Sequence, residues 1–189
     1  GLKSYYWKPI QTGSCEGTDS EFVGKWIGQD KVWPESYIFP EPISPHLAAE
    51  IKGIEINLQK CLEDFRKYNK PMIIEGAGGV LVPINSSALT VDFVSALGVP
   101  TIVVASTRLG TINHTLLTLK ALKNRDIPVA GVITVGSENH SIRKTIESYS
   151  CARILGHVAP CKSFSMSWFE EAYKQLSIPF LRRESWATT

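Results

Sequence analysis

Short apolar segments alternate with amphipathic segments along most of the chain, a pattern typical of strands and helices that follow one another. Apolar or aromatic runs predict strands at residues 4–7, 72–74, 100–106, 128–135 and 154–158. Helical spacing and helix-start signals predict helices at residues 44–50, 54–68, 89–97, 111–124, 141–149 and 165–176. We therefore expect an α/β fold, a doubly wound, mostly parallel sheet in which the strands at 72–74 and 100–106 are buried.

Glu75 and a run of small residues, Gly76, Ala77, Gly78 and Gly79, follow the predicted strand at 72–74. Ligands of an open parallel sheet bind outside the carboxyl ends of its strands, where Glu75 would lie. The glycines let backbone N–H groups approach an anion closely. A carboxylate beside such amides suits a divalent cation that meets a phosphate, although an ordinary glycine loop would also explain the run alone.

Two further polar residues are expected at the same edge of the sheet. Lys8 follows the strand at 4–7 and precedes a Pro/Thr/Gly turn, so its side chain can reach the same crevice as Glu75. Asp19 lies at a predicted helix start, with Thr18 or Asp19 as the N-cap and Glu21 in the first turn. Neither Asp19 nor Glu75 has a salt-bridge partner that is evident in the sequence, which favours a metal as their partner.

The stretch from Gly17 to Trp26 looks like a phosphate-binding loop of the pattern G-x-x-x-x-G-K-[ST]. Six residues separate Gly17 from Gly24, however, and Trp26 stands where a hydroxyl residue should follow Lys25. We reject this interpretation and predict a helix start instead. In the second half of the chain, Thr111 is predicted as the N-cap of a helix whose first-turn amides could receive a carboxylate.

Composition narrows the class of protein. The 189 residues are 43% hydrophobic and carry a formal net charge of +2. This size predicts a single domain over residues 1–189, and the small charge argues against a nucleic-acid or acidic-membrane partner. No apolar run reaches the length of a membrane span. Four cysteines without a CxxC pair favour reduced thiols in the cytoplasm.

Four segments together resemble the dethiobiotin synthetase family: 8–13, 17–19, 75–79 and 109–114. The resemblance implies a P-loop NTPase-like fold, a homodimer, and ATP and Mg²⁺ as co-substrate and cofactor. The implied reaction joins CO₂ to diaminopelargonic acid. A carbamate forms on one amine, ATP phosphorylates it, and the second amine displaces phosphate to close a cyclic urea.

The same resemblance implies roles for individual residues. Lys8 resembles the catalytic lysine, and Thr12 resembles the hydroxyl residue beside the diamine and the carbamate. Asp19 and Glu75 resemble the Mg²⁺ carboxylates of the nucleotide site. The loop shared by nucleotide and substrate is implied at Gly76, Ala77 and Gly78. The segment of the neighbouring subunit that holds the substrate's carboxylate tail is implied at Leu109, Gly110 and Asn113.

The chain departs from the family pattern in two places. Family members open with a strand and a P-loop before the lysine strand, so we expect an N-terminally incomplete domain that lacks both and is inactive by itself. Residues 132–136 also lack the asparagine with which many relatives read adenine. The alternatives are a non-catalytic fragment and a ParA-type ATPase switch. A cobyrinic acid amide synthase would need a glutaminase domain, for which the chain has no room.

Overall fold

All the strand pairs that the structure describes are parallel, as the sequence pattern predicts. The structure is a computed structural model that describes residues 4–178. The chain divides into two compact units, with the boundary between Val99 and Pro100. The fold is α/β, as predicted, and each unit is described by itself below.

The first unit is organised around a short central strand. Strand β1 (Tyr5–Trp7) lies between β3 (Val32–Trp33) and β5 (Met72–Ile74), and a second pair joins β2 (Ile10–Gln11) to β4 (Tyr37–Ile38). Trp7 is fully buried and packs against Phe65 and Tyr68 at ring-centroid distances of 6.3 and 6.1 Å. The side chains of alternate strand residues point to opposite faces, so Tyr6 and Lys8 lie on the face away from Trp7.

Four α-helices complete the described part of this unit: α1 (Asp19–Ile27), α2 (Pro45–Ile51), α3 (Leu58–Lys67) and α4 (Thr90–Leu97). Helix α1 begins as predicted, because the Thr18 hydroxyl accepts a hydrogen bond from the Glu21 amide while the Glu21 carboxylate accepts one from the Thr18 amide. The helix predicted from residue 54 begins only at Leu58. Asn57 caps it, and residues 54–56 lie outside it.

The second unit contains a parallel sheet in the order β6 (Thr101–Ser106), β7 (Val129–Val135), β8 (Ile154–Val158). Its helices are α5 (Thr111–Lys123), α6 (His140–Ser150) and α7 (Met166–Lys174). Strand β6 was predicted to be buried, but Val104 is 66% exposed. Strand β5 of the first unit was also predicted to be buried, but Ile73 is 49% exposed. Each strand forms one edge of its three-stranded sheet, where an apolar sequence does not guarantee burial.

None of the helices described between residues 4 and 178 is both long and apolar enough to cross a membrane.

Asp64 on α3 gives a test of the electrostatics of the first unit. Hydrogen bonds from Lys67 and Ser36, each at 2.7 Å, and from Lys60 at 3.3 Å lower the pKa of Asp64 to about 2. Because the pKa of Asp64 is lowered by folding, the ionised carboxylate stabilises the fold at pH values above the usual pKa of an aspartate. This stabilisation is lost as the pH falls towards 2.

We expect Asp64→Asn to destabilise the protein by only about 1 kcal/mol at pH 7, because the side chains of Lys60 and Lys67 are 48% and 66% exposed and solvent screens both pairs. The difference between variant and parent should vanish near pH 2. Chemical denaturation at both pH values measures it, with Glu63→Gln as an exposed control on the same helix. A difference that does not depend on pH would contradict the assignment.

Candidate functional site

Lys8 lies directly after β1 and is the centre of the candidate site. The residue is only 8% exposed, and its ammonium donates to Asp19 Oδ2 at 2.6 Å and to Glu75 Oε1 at 2.9 Å. Glu75 follows β5, and its amide donates to the Trp7 carbonyl at 2.9 Å, which continues the pairing with β1. The strand ends and the start of α1 therefore bring two carboxylates to one buried cation.

This arrangement corrects one interpretation of the sequence. No salt-bridge partner for Asp19 or Glu75 is evident in the sequence, which favoured a metal, but in the structure both pair with Lys8. Lys8 and Glu75 are 67 positions apart in the chain, and only the parallel pairing of β1 with β5 makes them neighbours. The ion pairs with Lys8 thus explain why both carboxylates lie here without a metal. A role for Asp19 and Glu75 in binding a metal needs separate support.

The charges at Lys8 stabilise one another. Burial acts to lower the pKa of Lys8, but the hydrogen bonds and negative charges of Asp19 and Glu75 outweigh it and raise that pKa above its usual value. Burial likewise acts to raise the pKa of Asp19, and the contacts with Lys8 reverse this and lower it. Lys8 is therefore a fixed cation at neutral pH rather than a proton acceptor.

Asp19 is positioned by its place on α1 and by the buried side chain of Gln11. The Asp19 amide donates to Gln11 Oε1 at 3.1 Å, and Gln11 Nε2 donates to the Thr12 carbonyl at 2.7 Å. Gln11 is 4% exposed. It therefore links the Thr12 turn to the N-terminus of α1, and its role was not predicted from the sequence.

Tyr6 is a second residue that was not predicted. Its hydroxyl donates to Glu75 Oε2 at 2.7 Å, and the residue is 6% exposed. Burial raises the pKa of Tyr6 well above its usual value, and the hydrogen bond to Glu75 and the charge of Glu75 add to this effect. Strand alternation could have indicated Tyr6, since it lies two residues before Lys8 on the same face of β1.

The glycine loop follows Glu75 directly, as predicted. Gly78 has a φ of +76°, and a Cβ atom there would lie 3.2 Å from a methyl group of Val82. Within residues 4–178, none of the backbone N–H groups of residues 76–79 donates a hydrogen bond. These amides are therefore available to an anion beside the Lys8 cluster.

The predicted segment at residues 109–113 lies at the start of α5, in the second unit. Leu109 is fully exposed, Asn113 is exposed, and Gly110 has a φ of +92° and is the N-cap. Thr111 was predicted as this cap, which is wrong. It is the first helical residue, buried, with its hydroxyl 3.4 Å from that of Thr115. Its amide donates to the Arg108 carbonyl, so it is not free for a ligand.

Comparison with known proteins identifies the family. A family model described as an AAA domain matches residues 1–165. The ATP-dependent dethiobiotin synthetase of Paramagnetospirillum magneticum is 43% identical over 155 residues, which cover 82% of this chain and 75% of that protein. The chain belongs to the ATP-dependent dethiobiotin synthetase family.

Two other dethiobiotin synthetases show the same level of similarity. The protein of Agrobacterium fabrum is 38% identical over 92% of this chain and 82% of its own length. The protein of Lawsonia intracellularis is 47% identical over 79% of this chain and 72% of its own length. A solved ParA family ATPase from Chlorobium tepidum TLS covers 98% of this chain and 82% of its own, but its 13% identity and TM-score of 0.49 are too low to support any argument.

The donor atoms around Lys8 suit Mg²⁺ that is held partly by a nucleotide. Mg²⁺ is commonly bound by one or two carboxylates together with phosphates and water. Asp19 and Glu75 supply two carboxylates that already converge on one cation. A carboxylate has about four lone-pair sites, so each can contact Lys8 and a metal together. The part of the chain described here contains no cluster of three or more His, Cys, Asp or Glu residues that could hold a metal alone.

Proposed function

We propose that the protein closes the urea ring of dethiobiotin from diaminopelargonic acid, CO₂ and ATP, with Mg²⁺ as cofactor. The observation that carries the proposal is the buried Lys8 ammonium, held by Asp19 and Glu75 beside a glycine loop with unused amides. The family relationship supplies the substrate class. Phosphoryl transfer depends mainly on positioning and on stabilising negative charge, and these groups can provide both.

In the proposed sequence one amine of the substrate attacks CO₂ and loses a proton to give a carbamate. A carbamate oxygen then takes the γ-phosphoryl group of ATP, which yields a carbamic-phosphoric anhydride and ADP. The second amine attacks the carbonyl carbon and expels phosphate, which closes the ring. Lys8 stays protonated throughout, because its pKa is raised, and so stabilises the charge that builds on the transferring group.

Asp19 and Glu75 are the residues that would hold Mg²⁺. The metal would neutralise phosphate charge when bound. Gly76, Ala77 and Gly78 would direct their backbone N–H groups at the phosphoryl or carbamate oxygens. The hydroxyl of Thr12 would lie at the diamine and carbamate, since Gln11 ties the Thr12 turn to Asp19.

The carboxylate tail of the substrate is assigned to Leu109, Gly110 and Asn113 of a neighbouring subunit in a homodimer. Two features of this segment support the assignment. Within residues 4–178, the N–H groups of Ile112 and Asn113 donate no hydrogen bond, and they lie in the first turn of α5, where an anion is favourable. The exposed amide of Asn113 can add a further donor.

An activity assay of the purified protein tests the function. With ATP, MgCl₂, bicarbonate and diaminopelargonic acid, mass spectrometry should detect dethiobiotin in a one-to-one ratio with ADP. Omission of the diamine should abolish ADP release. ATP hydrolysis that does not depend on the diamine would contradict the proposal and favour an ATPase switch.

Asn113→Ala should weaken diamine binding and leave ATP binding unchanged. We expect the KM for diaminopelargonic acid to rise about tenfold, since a hydrogen bond to a charged group is lost. The KM for ATP and kcat should change little. Steady-state kinetics with each substrate varied in turn measures this, and an equal loss for both substrates would contradict the assignment of residues 109–113 to the diamine.

Mixed dimers test whether the two sets of residues come from different subunits. A dimer that combines a Lys8→Ala subunit with an Asn113→Ala subunit would contain one doubly altered site and one intact site. Mixing the two variants under exchange conditions should therefore restore turnover at low diamine concentration. Absence of any recovery, with exchange verified by native mass spectrometry, would place both residues in the same subunit's site.

A further inference from the structure

Tyr6 makes a contact that none of the roles assigned above explains. We infer that Tyr6 is a positioning residue of the reaction, which holds the Glu75 carboxylate in the orientation that fixes the Lys8 ammonium. The inference rests on the proposed function for its catalytic consequence. Its structural basis is the pair of contacts on a single carboxylate, Tyr6 to Oε2 at 2.7 Å and Lys8 to Oε1 at 2.9 Å.

The backbone places these three groups in a fixed relation. Tyr6 pairs with Ile73 across the parallel strands, and Lys8 and Glu75 follow two residues later, each directly after its strand ends. Residues two apart share a face of a strand, so all three side chains lie on the same side. The Glu75 amide bonded to the Trp7 carbonyl fixes the backbone at the point where β5 ends.

Glu75 needs such support. Its side chain is 44% exposed, whereas that of Lys8 is only 10% exposed. A half-exposed glutamate with one partner can rotate and exchange that partner for water. With one oxygen on Tyr6 and the other on Lys8, the plane of the carboxylate is set from both sides. Tyr6 is itself buried, so loss of this hydrogen bond would leave its hydroxyl without a partner, which is unfavourable.

Loss of this support should affect turnover more than substrate binding. Lys8 acts on charge that develops in the transition state, and small errors in its position reduce that interaction. Tyr6 reaches the site only through Glu75, which keeps its charge when the Tyr6 hydroxyl is removed. Removal of its hydroxyl should therefore lower kcat and leave both KM values close to those of the parent.

Tyr6→Phe tests the inference, with Tyr5→Phe as the matched control. Tyr5 is the neighbouring tyrosine of β1, points to the other face and stacks on Trp33 at 5.1 Å. We expect Tyr6→Phe to lower kcat about tenfold, with each KM within about twofold of the parent. Tyr5→Phe should leave kcat unchanged. A normal kcat in Tyr6→Phe, or a rise in KM alone, would overturn the inference.

A second measurement does not depend on the reaction. The rate at which an amine-reactive reagent acylates Lys8 can be followed by mass spectrometry, with exposed Lys25 as the internal reference. Lys8 should react slowly in the parent, and several-fold faster in Tyr6→Phe and in Glu75→Gln. In the Glu75→Gln background, Tyr6→Phe should add nothing, because Tyr6 acts through Glu75.

The two measurements separate the two claims. If the parent makes no dethiobiotin, the proposed function fails, and Lys8 acylation still decides whether Tyr6 holds the Glu75–Lys8 pair. If acylation of Lys8 is the same in Tyr6→Phe as in the parent, the inference is wrong even where kcat falls. Thermal unfolding of each variant ensures that the rates are compared on folded protein.

Discussion

We expect Lys8→Ala to lower kcat for dethiobiotin formation by on the order of a thousandfold and to change the KM for ATP and for the diamine far less. The reason is that Lys8 is buried, has a raised pKa, and lies in the proposed site of phosphoryl transfer. Its interaction grows as negative charge builds, so its removal affects the transition state more than the bound substrates. Steady-state kinetics with product detection by mass spectrometry measures both parameters.

Lys25→Ala is the matched control for this result. Lys25 is exposed on α1 and follows Gly24 in the stretch that imitates a phosphate-binding loop. We expect little change in either kcat or KM. A large loss of ATP affinity in Lys25→Ala would revive the phosphate-loop interpretation of that stretch. A rise in KM alone for Lys8→Ala would reduce Lys8 to a binding residue.

Glu75→Gln should abolish Mg²⁺-dependent turnover while the fold is kept. The amide oxygen of glutamine can still accept the Tyr6 hydrogen bond, but the negative charge that pairs with Lys8, and that the proposed Mg²⁺ would bind, is lost. We expect kcat to fall at least about a hundredfold at saturating Mg²⁺. Titration of activity against MgCl₂ and a thermal unfolding curve are the two measurements.

Glu63→Gln removes the same charge from an exposed position on α3 and should behave like the parent in both assays. Unchanged activity in Glu75→Gln would reject the assignment of Glu75 to the metal. A lower unfolding temperature with normal turnover would instead make Glu75 a purely structural partner of Lys8.

The sequence predicted most of the elements because their signals are local. The capping residues at Thr18 and Glu21, the glycine after α4 and the apolar runs of β6, β7 and β8 each act within a few positions. Burial was predicted less well. Val104 and Ile73 belong to apolar runs, but their exposure depends on which strand forms the edge of a sheet, and that is a property of topology.

The sequence named Lys8, Asp19 and Glu75 as candidates, but it did not predict the contacts that bring them together. Lys8, Asp19 and Glu75 could each be placed at a strand or helix end, but their mutual pairing depends on contacts between distant parts of the chain. Tyr6 was missed because an aromatic residue in a strand is usually a packing residue. Thr111 was misassigned because Gly110 takes the cap position one residue earlier.

The order of residues 6–8, at the end of β1, links the tolerance of the protein to mutation with its chemistry. Trp7 fills the core, while Tyr6 and Lys8, its neighbours on either side, face the site. A smaller side chain at Trp7 would leave a cavity, and the strand would shift to fill part of it. That shift would displace both neighbours from Glu75. Selection for turnover therefore constrains this core position more tightly than selection for a folded chain would.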